Sequence, residues 1–124
     1  MTRLTRSAMI ADGHSMSRAG LAAMLAGEPG IAKVLEAGDF AGVLMFAARV
    51  PQIGLIAIDL DLPGMHGSEG LRRLRIEHPG TLVVVLGARR DRDVVVGGLV
   101  AGVHGVIPED RLRDEFLAEL RSVP

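Results

Sequence analysis

Three carboxylates stand at places in this chain where they could do chemistry. Asp12 ends the apolar run 8–11, Asp59 ends the run 55–58, and Asp61 follows two residues later, ahead of the turn Pro63-Gly64. Two carboxylates a few ångströms apart repel unless something neutralises them. A hard divalent ion is the usual answer: Mg²⁺ takes one or two carboxylates, a backbone carbonyl and several waters. With such an ion in place, a carboxylate oxygen can attack a phosphoryl donor and form an acyl phosphate.

For that chemistry Asp12 and Asp59 must meet, which depends on the elements that carry them. Short apolar runs at 8–11, 33–37, 55–58, 82–86 and 105–107 alternate with helical patterns. Three of the runs are nearly all apolar, as strands covered on both faces should be. The helical patterns cover 16–26, capped by Ser15; 40–49, capped by Asp39; 68–78, ended by Pro79-Gly80; and, more weakly, 93–101. A last one follows Asp110, with Leu112, Phe116, Leu117 and Leu120 as its apolar stripe. This βα alternation predicts one α/β domain over 1–124, a parallel sheet with right-handed crossovers and helices on both faces. Ligands of such sheets sit outside the carboxyl ends of the strands. In the order 2-1-3-4-5 the first and third strands are neighbours, so Asp12 and Asp59 would converge.

Composition removes several classes. A chain of 124 residues buries enough surface to fold without metal or disulfide staples. It has no cysteine, which excludes thiol catalysis and zinc–thiolate sites and suits a reducing cytoplasm. A net charge of −1 gives no electrostatic footprint for nucleic acid or a membrane surface, and no apolar run approaches the roughly 18 residues of a membrane span. No nucleophile–base pair beyond the acids is visible, so an enzyme with turnover is not expected.

The segments MIADGHSMSRAGLAAML, IDLDLPGMHGSEGLRRLR and LVAGVHGVIPED resemble the receiver domain of bacterial two-component response regulators. The similarity is to the subgroup that usually carries a LuxR-type helix-turn-helix, and it covers essentially the whole chain. The resemblance implies a flavodoxin-like doubly wound sheet of five strands with five helices. It also implies that Asp59 matches the phosphoacceptor, that Asp12 matches the first acid holding Mg²⁺, and that the backbone carbonyl of Asp61 matches a third metal ligand.

The chain departs from that family at its switch positions. Gly13 stands where a second acid is usual, Gly87 where the fourth strand usually ends in Thr or Ser, Glu109 where the fifth usually ends in Lys, and Val106 where an aromatic switch is common. Two of these absences do not depend on alignment. No Ser or Thr lies between Leu82 and Arg121, and the single lysine is Lys33 on the second strand. A unit-charge pair about 5 Å apart at an effective dielectric near 20 is worth roughly 3 kcal/mol. Exchanging lysine for glutamate therefore swings the phosphorylated state by up to roughly 6 kcal/mol. The expectation is a degenerate receiver in which Asp59 is vestigial and Mg²⁺ binds weakly or not at all. Two alternatives stay open: a working phosphoacceptor using Asp59 and Mg²⁺, and a small-molecule-binding pseudo-receiver using the carboxyl-end cleft.

Plainer readings exist for the remaining features. Gly64, Gly67 and Gly70 fit a turn and a helix start better than a phosphate cradle. His14, His66 and His104 share no metal-binding spacing and read as surface or loop residues. Arg89 and Arg90 could replace the missing cation but read more simply as a solvated loop. The segment DVVVGGLVAG is apolar nearly all round and weakly helical. Val94, Val95, Leu99 and Arg111 are candidate interface residues, since exposed apolar patches often mark interfaces. The expected partners are proteins, a histidine kinase or another regulator, with a homodimer as a further candidate. Contact with DNA is expected only through a domain absent from this chain, and none with a membrane.

Overall fold

The computed structural model describes residues 6–88, 102–108 and 112–121. Five strands form one parallel sheet: β1 (Arg6–Ala11), β2 (Ile31–Ala37), β3 (Ile53–Asp59), β4 (Leu82–Ala88) and β5 (Gly105–Pro108), in the order β2-β1-β3-β4-β5. Four helices are described: α1 (Ser15–Ala26), α2 (Phe40–Arg49), α3 (Ser68–Glu77) and α4 (Leu112–Arg121). The pattern at 93–101 lies outside the described residues.

Side chains alternate between the two faces of the sheet, so each face has its own core. Met9, Ile56, Ile58, Val83 and Val85 point one way, onto Phe40 and Val43 of α2 and Leu71 and Leu74 of α3. Ala8, Ile10, Ala57, Val84, Leu86 and Ile107 point the other way, onto Leu21 and Leu25 of α1 and Phe116 of α4. This double coverage is why the central strands read as continuous apolar runs. Each buried Leu, Ile or Val contributes roughly 2 kcal/mol relative to exposure.

β1, β2 and β3 begin two residues before their apolar runs, whereas β4 and β5 begin with theirs. Arg6 and Ser7 pair with Ile31 and Lys33, although a polar residue gives no hydrophobic signal. The ladder between β4 and β5 shifts between Leu86 and Ala88, so Gly87 lies at a bulge. Asp39 caps α2 as its sequence predicts, its Oδ1 accepting from the Gly42 N–H at 2.8 Å. Ser15 does not cap α1. It is the first helical residue, and His14 is the cap, without a side-chain cap bond. The difference arises because Asp12 Oδ1 has already taken the His14 N–H at 2.9 Å and turns the chain one residue earlier. At the far side, Arg121 of α4 grips Glu28 with Nη2 and Nε at 2.6 and 3.2 Å.

Candidate functional site

The crossover order delivers Asp12 and Asp59 to the same rim. Ala11 pairs with Ile58, so the two adjacent strands end in step. Carboxylate oxygens of Asp12 and Asp59 and a ring nitrogen of His14 all lie within 4.8 Å of one another. Asp12 is pinned on three sides. Its N–H donates to Ala37 O at 3.0 Å, its carbonyl accepts from Arg18 Nη1 at 2.8 Å, and Oδ1 faces His14 Nδ1 at 3.2 Å. Arg18 also reaches Glu36 Oε1 at 3.3 Å, tying α1 to the end of β2.

Asp59 is half-buried, and its Oδ1 accepts from the Asp61 N–H at 2.9 Å. Burial pushes the Asp59 carboxyl above its usual range. The Asp61 N–H pulls the other way, the Asp12 and Asp61 carboxylates raise it further, and His14 lowers it. Asp61 itself is exposed.

The loop after β3 is built from tight approaches. The Pro63 carbonyl accepts from the Phe40 N–H at 2.8 Å, which joins this loop to α2. Gly64 turns with φ +83°, a backbone that L side chains rarely adopt. Gly70 lies against Met65: an added Cβ would come within 2.6 Å of the Met65 carbonyl oxygen and closer still to its Cγ. Packing and turn geometry thus account for these glycines.

Of the other sequence-predicted positions, Gly13 follows Asp12 directly and Gly87 follows Leu86, the register partner of Asp59, so both lie at this rim and bring no side chain to it. Gly87 occupies the β4–β5 bulge. Val106 is half-buried and packs against the core beneath α2 and α3. Gly13 is exposed, with Pro63 Cδ 3.2 Å from where its Cβ would be. Thr81 is the hydroxyl nearest in sequence to Gly87, but it lies six residues earlier at the opposite end of β4, about 20 Å away at roughly 3.3 Å per residue. Its Oγ1 donates instead to the Ile53 carbonyl at 2.8 Å. Lys33 pairs with Ser7, so it lies about 13 Å or more down the sheet from the rim. Glu109, Val94, Val95, Leu99, Arg111, Arg89 and Arg90 lie outside the described residues. His14 is the group that sequence reading passes over; the signal was its place two residues after a strand-ending Asp, on the edge shared with Asp59.

The two carboxylates suit a hard divalent ion such as Mg²⁺, and Asp12 and Asp59 would hold it; the third side chain within reach is an imidazole rather than an oxygen donor.

Residues 8–121 match the response regulator receiver domain, and the chain belongs to that family. Over 116 residues it is 32% identical to a glycerol metabolism activator of Pseudomonas putida, covering 93% of this chain and 52% of that protein. Over 114 residues it is 31% identical to the nitrate/nitrite response regulator protein NarP of Escherichia coli, covering 92% and 53%. A response regulator from Thermotoga maritima superposes with a TM-score of 0.81 at 26% identity, covering 95% of this chain and 96% of the other. The chain spans about half the length of the curated relatives it matches. It is therefore the receiver module of a response regulator, a signalling unit. Among the described residues no helix is long and apolar enough to cross a membrane.

Proposed function

We propose that this receiver has an impaired phosphorylation switch and signals through protein contacts, in the cytoplasm, toward a transcriptional output. The observation that carries the reading is the charge around Asp59. Among the described residues, the side chains that act on its carboxyl are two further carboxylates and one imidazole, and the chain's single lysine is on β2. A phosphoryl group brings a charge near −2. In sequence, Gly87 replaces the family's usual hydroxyl donor and Glu109 its usual cation. Relatives described as an activator and a response regulator support a transcriptional output. Partners in this reading are a histidine kinase or regulator and a second copy of the chain. Any DNA contact belongs to sequence outside these 124 residues.

The test is incubation with acetyl phosphate and Mg²⁺, followed by intact mass. The expected result is little or no phosphoryl addition. Stoichiometric addition that disappears in Asp59→Asn overturns the reading. Combining Gly13→Asp, Gly87→Thr and Glu109→Lys should raise the phosphorylated fraction at least tenfold.

One observation favours the working phosphoacceptor: Asp12 and Asp59 do converge as a metal pair. The same assay decides between the two. The small-molecule alternative looks to the carboxyl end, but a cleft of about 460 Å³ opens at the other edge, lined by Arg6, Arg49, Gln52, His78 and Thr81 among others.

A further inference from the structure

We propose that His14 stands in for the carboxylate absent at residue 13 and makes this rim a mixed oxygen–nitrogen site that takes a borderline divalent transition ion, such as Zn²⁺ or Co²⁺, in preference to Mg²⁺. The inference rests on the rim being a place where this receiver binds metal. It does not depend on whether Asp59 is phosphorylated.

Three features carry it. The first is donor type. Two carboxylates alone are a hard-ion pair, but the third side-chain donor here is an imidazole. Imidazole suits Zn²⁺, Ni²⁺ and Co²⁺, whereas Mg²⁺ demands oxygen ligands and dehydrates reluctantly. The second is spacing. Ligands about 2.0–2.1 Å from a tetrahedral ion lie roughly 3.3 Å from one another. His14 Nδ1 and Asp12 Oδ1 are 3.2 Å apart, and the Asp59 oxygen completes a set within 4.8 Å. Three protein ligands and an open fourth position leave room for water.

The third is preorganisation. The Asp12 side chain is only 7% exposed, yet among the described residues its Oδ2 accepts no hydrogen bond. That leaves a nearly buried carboxylate at the rim whose second oxygen has no partner among the described residues. His14 is held by its own backbone N–H on Asp12, while its ring is 84% exposed and open to an ion from solvent. Arg18 fixes the Asp12 carbonyl from behind without touching the carboxylate oxygens. A bound ion would bring two positive charges to a carboxylate pair that lacks lysine.

The experiment uses the whole chain, stripped with chelator and titrated calorimetrically with ZnCl₂, CoCl₂ and MgCl₂. Transition ions bind most sites more tightly than Mg²⁺, so the comparison is between variants. His14→Ala should weaken Zn²⁺ and Co²⁺ at least tenfold and change Mg²⁺ less than twofold. Asp59→Asn should weaken all three, which excludes binding at His66 or His78. Gly13→Asp should strengthen Mg²⁺ selectively. In wild type, NMR should show the His14 ring nitrogen shifting at one equivalent of Zn²⁺. His14→Gln, melted without metal, controls for folding. Unchanged Zn²⁺ affinity in both His14 variants overturns the proposal, as does a parallel loss of Mg²⁺ affinity. Efficient phosphorylation of Asp59 would overturn the impaired-switch reading alone.

Discussion

At the amino-terminal rim of the sheet, polar groups are paired and tied down. Thr81 donates to Ile53 O, and Arg75 donates to the Gly102 and Thr81 carbonyls at 3.0 and 3.1 Å. His104 Nδ1 accepts from the Val83 N–H at 3.0 Å while its own N–H donates to Val83 O. At the carboxyl-terminal rim, Asp12, Asp59 and Asp61 crowd together, and the Asp59 carboxyl is held above its usual range by burial and by its neighbours. One rim closes the fold; the other holds charges that want a counter-ion. Polar residues of similar type thus do opposite work according to which end of the strands they occupy.

Substitutions can break that contrast. The largest effect is expected at the closed rim. Thr81→Val leaves the Ile53 carbonyl buried and unpaired, a cost of about 2 kcal/mol. Urea unfolding should show a lower midpoint at unchanged slope; a loss of a few tenths would mean the rim is not structurally important. Arg75→Ala should cost about 1 kcal/mol, since its bonds are partly solvated.

The open rim should respond with the other sign. The folded carboxyl of Asp59 is raised above its unfolded value, so its stabilising contribution is present below the unfolded pKa near 3.8 and is lost as pH rises through the folded value. Asp59→Asn should therefore raise the melting temperature at pH 7, by less than Thr81→Val lowers it, and the advantage should shrink toward pH 4. A destabilised Asn variant would show that the carboxylates are not in conflict.

The smallest effect is at His104. Burial and the Arg75 charge hold its pKa below the usual value of 6.5. Its contribution to stability is present above 6.5 and lost as pH falls through the folded value, where protonation removes the acceptor that Val83 uses. His104→Asn keeps an acceptor at that position. Its melting temperature should fall less between pH 7.5 and 5.5 than that of the wild type.

The central strands could be read in the sequence because double coverage makes 55–58 and 82–86 continuous apolar runs, and their order followed from the family resemblance. The start of β1 could not, because Arg6 and Ser7 pair through the backbone and carry no hydrophobic signal. Asp12 and Asp59 were visible as charges ending such runs. His14 was not, because its partner Asp59 is 45 residues away and meets it only once β1 and β3 lie side by side. The bulge at Gly87 was hidden for a similar reason: it depends on the register with β5, not on the residues of β4 alone. The capping role assigned to Ser15 failed because a neighbouring carboxylate competed for the turn.

Asp12 Oδ1 and Asp59 Oδ1 accept the His14 and Asp61 N–H groups, but other bonds that hold the open rim in place bypass the carboxylate oxygens. Arg18 grips the Asp12 carbonyl, Pro63 O takes the Phe40 N–H, and Asp39 caps α2 through Gly42. Selection for folding therefore has less hold on the side chains of residues 14 and 59 than on the scaffold around them. Natural chains are purged mainly when stability falls below a threshold. Substitutions at those two positions can change the chemistry of the rim while the scaffold persists.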